Sequence, residues 1–261
     1  MTAPNSHRVP RLASTVIIAR ESADSSTLEF FIQQRQSTMA YAASAVVFPG
    51  GGVEYSDYPY ILPHQDAHMT REQIEHHAYR LHIDPETMAA HITAARREVW
   101  EETGVDLDNY AHELIPLDRW ITPDIPAFRR RYDTATFVLV PKDSSDTEDN
   151  ALQPRHQTTE ATHSYWATAA DLLSQWSNAE LNLLLPTWWH INQLSHFRTL
   201  DQLYSFAQHA HNPQHTPPTV FSNWVVPANA TTMQHYGFPD PAIYFDHATI
   251  AGKHHKIPSR K

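Results

Sequence analysis

An α/β fold, with helices sandwiching a mixed sheet, is what the sequence predicts. Two observations carry it. Short β-branched and aromatic runs flank one long helical segment in the first 140 or so residues. Further helical patterns follow from Thr168 onward.

Taken in order, Thr15–Ala19 (TVIIA) and Leu28–Gln33 (LEFFIQ) read as strands, and RESADSST between them supplies the turn of a hairpin. AVVFPGGG, from Ala45, reads as a third short strand ending in Pro and Gly. A polar, His-rich region from Tyr55 to Ile83 follows, with a helix over Thr70–Leu81 and Thr70 as its N-cap. Asp84-Pro85-Glu86 is a strong helix start: a capping carboxylate, proline at the first helical position, and an acid in the first turn. That helix can run unbroken from Pro85 to Thr103, where Gly104 stops it. ELIPLDRWITP and YDTATFVLVP read as strands, and KDSSDTEDNALQPRH as an acidic loop. THSYWA is a further strand, and TAADLLSQWSN, LLLPTWWHINQLSHF and TLDQLYSFAQHA are helices. From Asn212 the chain is rich in Pro, His and Asn, with strand-like pieces TVFSNWVVP and AIYFD. No internal repeat is visible.

The 261 residues suit one large domain or one domain with an extension. A net charge of −10 without a dense basic block argues against a nucleic-acid partner, but not against a small anion neutralised by a divalent metal. The absence of cysteine rules out disulfides, thiolate zinc sites and cysteine nucleophiles. The polar N-terminus lacks an apolar signal core, and no run approaches membrane-spanning length, so the expectation is a soluble cytoplasmic protein with no membrane partner.

The chemistry concentrates in AARREVWEETGV, Ala94–Val105. Glu98 and Glu102 are four apart and Glu101 is three from Glu98, so the carboxylates converge on one side near the helix C-terminal end. Arg97 is four from Glu101 and can hold it. Carboxylates here repel one another and oppose the helix dipole, which points to a hard divalent cation with oxygen ligands, Mg²⁺ or Mn²⁺. A solvated acidic face is the plainer reading of Glu-x-x-Glu-Glu alone.

Arg97-Glu98-Val99-x-Glu101-Glu102-x-Gly104-Val105 matches every specified position in the second half of the Nudix box, Gly-x5-Glu-x7-Arg-Glu-U-x-Glu-Glu-x-Gly-U, where U is aliphatic. The chain therefore resembles the Nudix hydrolase superfamily. A contiguous box would need glycine at position 83, which is Ile. FPGGGVE, Phe48–Glu54, resembles the turn that opens such boxes, with Gly51 as the box glycine. Gly51 and Arg97 are 46 positions apart where the pattern has 14, so roughly 32 residues are inserted into the loop of the box. For the middle glutamate, Asp57 and Glu86 are both candidates.

A split box resembles the branch of peroxisomal coenzyme A diphosphatase-like proteins and their bacterial relatives. STVIIAR, FFIQQRQSTMAYAASAVVFPGGGVE, RWITPDIPAFRRRYDTATFVLV and LLLPTWWHINQLSHFRTLDQLYSFA resemble that branch in the same order. The resemblance implies a Nudix α/β/α sandwich over residues 10–208, an insertion at about 56–87, and a C-terminal extension over 209–261 whose role is open.

It also implies hydrolysis of a diphosphate linkage in a nucleoside diphosphate joined to another moiety, with coenzyme A or acyl-coenzyme A leading. ADP-ribose, NADH and nucleotide sugars are the alternatives, and a non-catalytic nucleotide-binding Nudix module is the second class. Catalytic residues would be Arg97, Glu98, Glu101 and Glu102, the three glutamates being the metal ligands. The backbone of Gly50, Gly51 and Gly52 would allow close approach of substrate. Arg129, Arg130 and Arg131 are candidates to pair with a substrate phosphate, such as the 3′-phosphate of coenzyme A, against the plainer reading of a solvated turn. Glu160 stands where many Nudix proteins carry a glutamate ahead of a Trp-bearing strand, a candidate general base whose plainer reading is a surface acid. His64, His68, His76, His77, His82 and His91 crowd the insertion, but 19 histidines spread over the chain make this a compositional habit rather than a metal site. Trp188 and Trp189 read as core. The partner is a small-molecule diphosphate. The oligomeric state is open, a homodimer included.

Overall fold

The computed structural model describes residues 9–23, 26–36, 45–58, 69–107, 112–122, 130–141, 154–209 and 220–221. Their elements run β1 (Arg11–Glu21), β2 (Leu28–Arg35), β3 (Ala45–Val47), β4 (Gly50–Gly52), a 3-10 turn (Tyr55–Asp57), α1 (Arg71–Leu81) and α2 (Pro85–Thr103). They continue with β5 (His112–Ile121), β6 (Tyr132–Pro141), β7 (Ala161–Thr168), α3 (Ala169–Ser177), β8 (Asn182–Leu183), α4 (Leu185–Leu194), α5 (Leu200–His209) and β9 (Val220–Phe221).

β1 is apolar on both faces and organises the layers. Val16 and Ile18 pack with α1 and α2, while Ile17 and Ala19 pack with α3, α4 and α5. It also joins two halves of one mixed sheet. Its first eight residues pair in parallel with β6, and Ala13–Thr15 pair antiparallel with β4. Its end pairs antiparallel with β2, the expected hairpin. β5 lies antiparallel on β6, and β7 and β3 lie antiparallel on β2. The result is the expected α/β/α sandwich with a mixed sheet.

The expected third strand is two strands with different partners. β3 belongs to β2 and β4 to β1, and the chain changes partner at Phe48-Pro49. Pro49 has no N–H to extend a ladder, but its carbonyl accepts from Val16 N at 2.8 Å, which carries the backbone across to β1. β8, two residues long and parallel to β3, gives no sequence signal. Within TVFSNWVVP, Val220–Phe221 form β9 alongside β5; AIYFD lies outside the described residues.

Capping residues set the helices as the sequence implies. Thr70 and Gln73 form a reciprocal capping box on α1. Asp84 caps α2 through Thr87 N, and Gly104, at φ 71°, closes it in the left-handed conformation. α1 is more than surface decoration: Ala78 and Leu81 are buried in the same core as Met88, Ile92 and Val99 of α2. Arg119 of β5 fastens its end, gripping Asp133 at 2.8 and 2.6 Å and donating to the carbonyls of Leu81 and His82. Trp188 is fully buried and Trp189 packs against the same core, as the sequence suggests. Among the described residues no helix is long and apolar enough to cross a membrane.

Of the crowded histidines, His64 and His68 lie outside the described residues, and His76 and His82 are exposed. His77 and His91 are buried, and burial lowers them to about 3 and about 4. His91 Nδ1 lies 3.1 Å from Ser14 Oγ, which donates to the His91 carbonyl at 2.8 Å. Because the folded value lies below the unfolded one, the neutral ring's contribution is complete above about pH 6.5 and is lost as pH falls towards 4. Between pH 7 and pH 5 the melting temperature of the wild type should fall by roughly 5 °C more than that of His91→Gln. Parallel melting curves of the two across that range would refute the assignment.

Candidate active site

The C-terminal half of α2 lies against the glycine turn of β4, and Arg97 ties the two together. Its Nε and one terminal nitrogen hold Asp57 in a fork at 3.1 and 3.0 Å, and the latter also donates to the Gly52 carbonyl at 2.9 Å. The other terminal nitrogen donates to Glu98 at 2.8 Å and to Glu101 at 3.2 Å. The i, i+4 pairing with Glu101 is thus one arm of a larger hub. Burial disfavours the Arg97 charge, but hydrogen bonds to Asp57 and Glu98 outweigh it and hold the group well above its usual range.

Of the two candidates for the middle position of the motif, Asp57 is the one that Arg97 holds. It follows Gly51 by six residues, is 2 % exposed, and also accepts from Glu54 N at 2.7 Å. Glu86, the other candidate, is exposed in the first turn of α2. The sequence alone left the two open because Asp57 and Arg97 are 40 positions apart.

The carboxylates are not equivalent. Glu102 is 7 % exposed and accepts from Gly50 N at 2.9 Å. Burial pushes it up to about 8; the Gly50 amide opposes this, and the charges of Glu98 and Glu160 add to it. Glu98 is also raised, by burial first, against the Arg97 hydrogen bond. Glu101 stays at the rim with 47 % of its side chain exposed. Gly51 leaves room for Glu98: a Cβ there would collide with the Glu98 carboxylate. At Gly50, φ is +151° and a Cβ would strike the backbone of β1, so only glycine presents this amide to Glu102.

These groups open onto a cavity of about 610 Å³ that also contains Arg35, Arg130, Trp120, Glu160 and His190. Glu160, 58 % exposed, pairs with Arg35 at 3.5 Å. Of the arginine cluster, Arg130 lines the cavity, Arg131 donates to the Thr122 carbonyl at 2.9 Å instead, and Arg129 lies outside the described residues. Arg35 and His190 are cavity residues that the sequence did not single out; each sits in a strand or helix whose core pattern gives no sign of a binding role.

Among the described residues no group of three or more His, Asp or Glu side chains is arranged so that it could hold a metal ion. The donor chemistry nevertheless fits a hard divalent cation. Glu98 and Glu102 are oxygen donors raised first by burial and further by neighbouring carboxylates, and a divalent cation would favour their ionised forms.

No family model matches the chain, and no curated protein matches it. Among solved structures, it is similar to a Nudix hydrolase from Alicyclobacillus acidocaldarius, with a TM-score of 0.57 and 20% identity over 77% of this chain and 97% of that one. It is also similar to the Nudix domain of Shewanella oneidensis NrtR complexed with ADP ribose, at a TM-score of 0.42 and 15% identity over 74% of this chain and 90% of that one. A MutT Nudix hydrolase from Burkholderia pseudomallei gives 0.41 and 15% over 71% and 98%. The first likeness shows that this chain has the Nudix fold.

Two outcomes follow from the hub. Asp57→Ala strips the fork from a half-buried guanidinium and should destabilise the protein by roughly 3 kcal/mol in urea unfolding. A loss below about 0.5 kcal/mol would show that Arg97 does not depend on it. In metal-free protein, the raised Glu102 contributes stability that is complete below about pH 4.5 and lost as pH rises through about 8. Glu102→Gln should therefore gain melting temperature over the wild type across that span; a constant difference would contradict the raised value.

Proposed function

We propose that the chain is a Nudix hydrolase that uses Mg²⁺ or Mn²⁺ to cut the diphosphate linkage of a nucleoside diphosphate joined to another moiety. The observation that carries this reading is the Arg97 hub, which sets Glu98, Glu101, Asp57 and the glycine turn beside Glu102 at one end of a cavity. In this reading the front of the box is intact from Gly51 to Asp57, and the roughly 32 inserted residues lie between Asp57 and Arg97, the front of α2 included.

Glu98 and Glu102 would hold the cation, with Glu101 as a further ligand or a group that positions water. The cation supplies charge neutralisation for the diphosphate and makes water acidic enough to attack phosphorus at neutral pH. The chain's own residues do the rest. Arg97 fixes the carboxylate rotamers, and the Gly50 amide orients Glu102. The bare backbone of Gly51 and Gly52 lets a phosphate approach the helix. Glu160, a cavity acid outside α2 that pairs with Arg35, is the candidate to accept the proton of the attacking water.

Coenzyme A or acyl-coenzyme A leads as substrate on the sequence resemblance. Arg130 supports it as the described member of the arginine cluster that faces the cavity, where it could meet a substrate phosphate. ADP-ribose, NADH and nucleotide sugars share the linkage and complete the test panel.

Purified protein with Mg²⁺ should release 4′-phosphopantetheine and adenosine 3′,5′-bisphosphate from coenzyme A, read by mass. Cleavage of another member alone would keep the chemistry and change the substrate. Glu102→Gln should lower turnover by about a hundredfold or more while keeping a cooperative melt. Millimolar Mg²⁺ or Mn²⁺ at pH 8 should raise the melting temperature of the wild type and not of Glu102→Gln. Turnover by the variant at the wild-type rate would refute the site.

A further inference from the structure

The sheet face that carries the core beneath α3–α5 changes character towards the carboxylates. On β6, Val138 lies in that core, while Thr136 and Thr134 line the cavity instead. On β1, Ile17 gives way to Thr15 in the same manner. Strand register places Thr15, Thr136 and Asp118 in one cross-strand row, and Ala13, Thr134 and Trp120 in the next. α4 closes this floor with Thr187 and His190. His190 packs edge-on to Trp120, and its Nε2 stands 3.6 Å from Asp118 Oδ2.

Thr136, Thr187 and His190 are only 1 %, 7 % and 2 % exposed, so this is built interior, not surface. A core position that packed only against apolar neighbours would favour valine or leucine over these groups. The buried His190 Nε2 has no hydrogen-bond partner among the described residues, since Asp118 lies beyond hydrogen-bond reach. The floor thus offers hydroxyls, an imidazole and an indole wall.

We propose that this floor receives the uncharged planar ring of the substrate, a nucleobase, with Thr136, Thr187 and His190 as its hydrogen-bonding partners and Trp120 as its apolar wall. The assignment rests on the reading of the site as one for nucleoside diphosphate derivatives. A phosphate would be poorly served here, because the Asp118 carboxylate stands 3.6 Å from His190 Nε2 and would repel it. An alkyl chain would strip water from buried hydroxyls without replacing its hydrogen bonds. A heterocycle with donors and acceptors on its edge answers both objections, and its flat face suits Trp120. The substrate then lies with its ring against α4 and its phosphates towards α2 and Arg35.

Saturation-transfer NMR on the full chain, without divalent cation, tests the floor apart from the chemistry. Adenosine, guanosine, cytidine and uridine are the probes; ribose and inorganic phosphate are the controls. At least one nucleoside should bind, with saturation strongest on its ring protons. Thr136→Val, which preserves shape, and His190→Gln should each weaken it about tenfold while melting as the wild type does. In turnover assays the same variants should raise KM more than they lower kcat. Failure of all four nucleosides, equal binding of ribose, or unchanged binding by both variants would overturn the proposal, whatever the turnover. Nucleoside binding lost in both variants, in a protein that cuts no diphosphate, would uphold the floor and sink only the hydrolase reading.

Discussion

One guanidinium holds the site together. Arg97 donates to a buried aspartate, two helix glutamates and a strand carbonyl, and through them it fixes α2 against β4 and the turn beyond. Its planar fork is what makes this possible: an ammonium could match the charge but not the five directions. The cluster of carboxylates, unfavourable at a helix C-terminus, becomes tolerable because this cation lies among them. Glu98 and Glu102 nonetheless stay raised, by burial first and by neighbouring carboxylates after it.

Much of the fold was legible because local chemistry marks its boundaries. α2 begins and ends where Asp84, Pro85 and Gly104 say it must. α1 starts at the Thr70 capping box, and α3 starts at Thr168, whose side chain caps it. The two-faced burial of β1 follows from TVIIA having no polar alternation. What was not legible depends on distant partners. The break between β3 and β4 exists because the chain changes neighbours at Pro49, and β8 is defined only by the strand beside it.

The same division runs through the site. Arg97 and the three glutamates could be picked out from helical spacing and the motif. Asp57 could not be chosen over Glu86, since both are acids at plausible positions and only the fold brings one to Arg97. His190, Thr136 and Asp118 were invisible for a different reason. Each sits in a segment that reads as ordinary core, and their polarity acquires meaning only when α4 is laid over the β5–β6 register. Arg130 and Arg131 show the limit of composition: adjacent and alike in sequence, one faces the cavity and the other ties down a loop carbonyl.

The two halves of the carboxylate motif address each other through side chains rather than through chain continuity. The covalent path between Asp57 and Arg97 is therefore not what sets their spacing. Here that path carries α1, which shares its core with α2 and whose end is pinned by Arg119. Shortening the stretch between Asp57 and Arg97 would therefore cost core packing and not loop length alone.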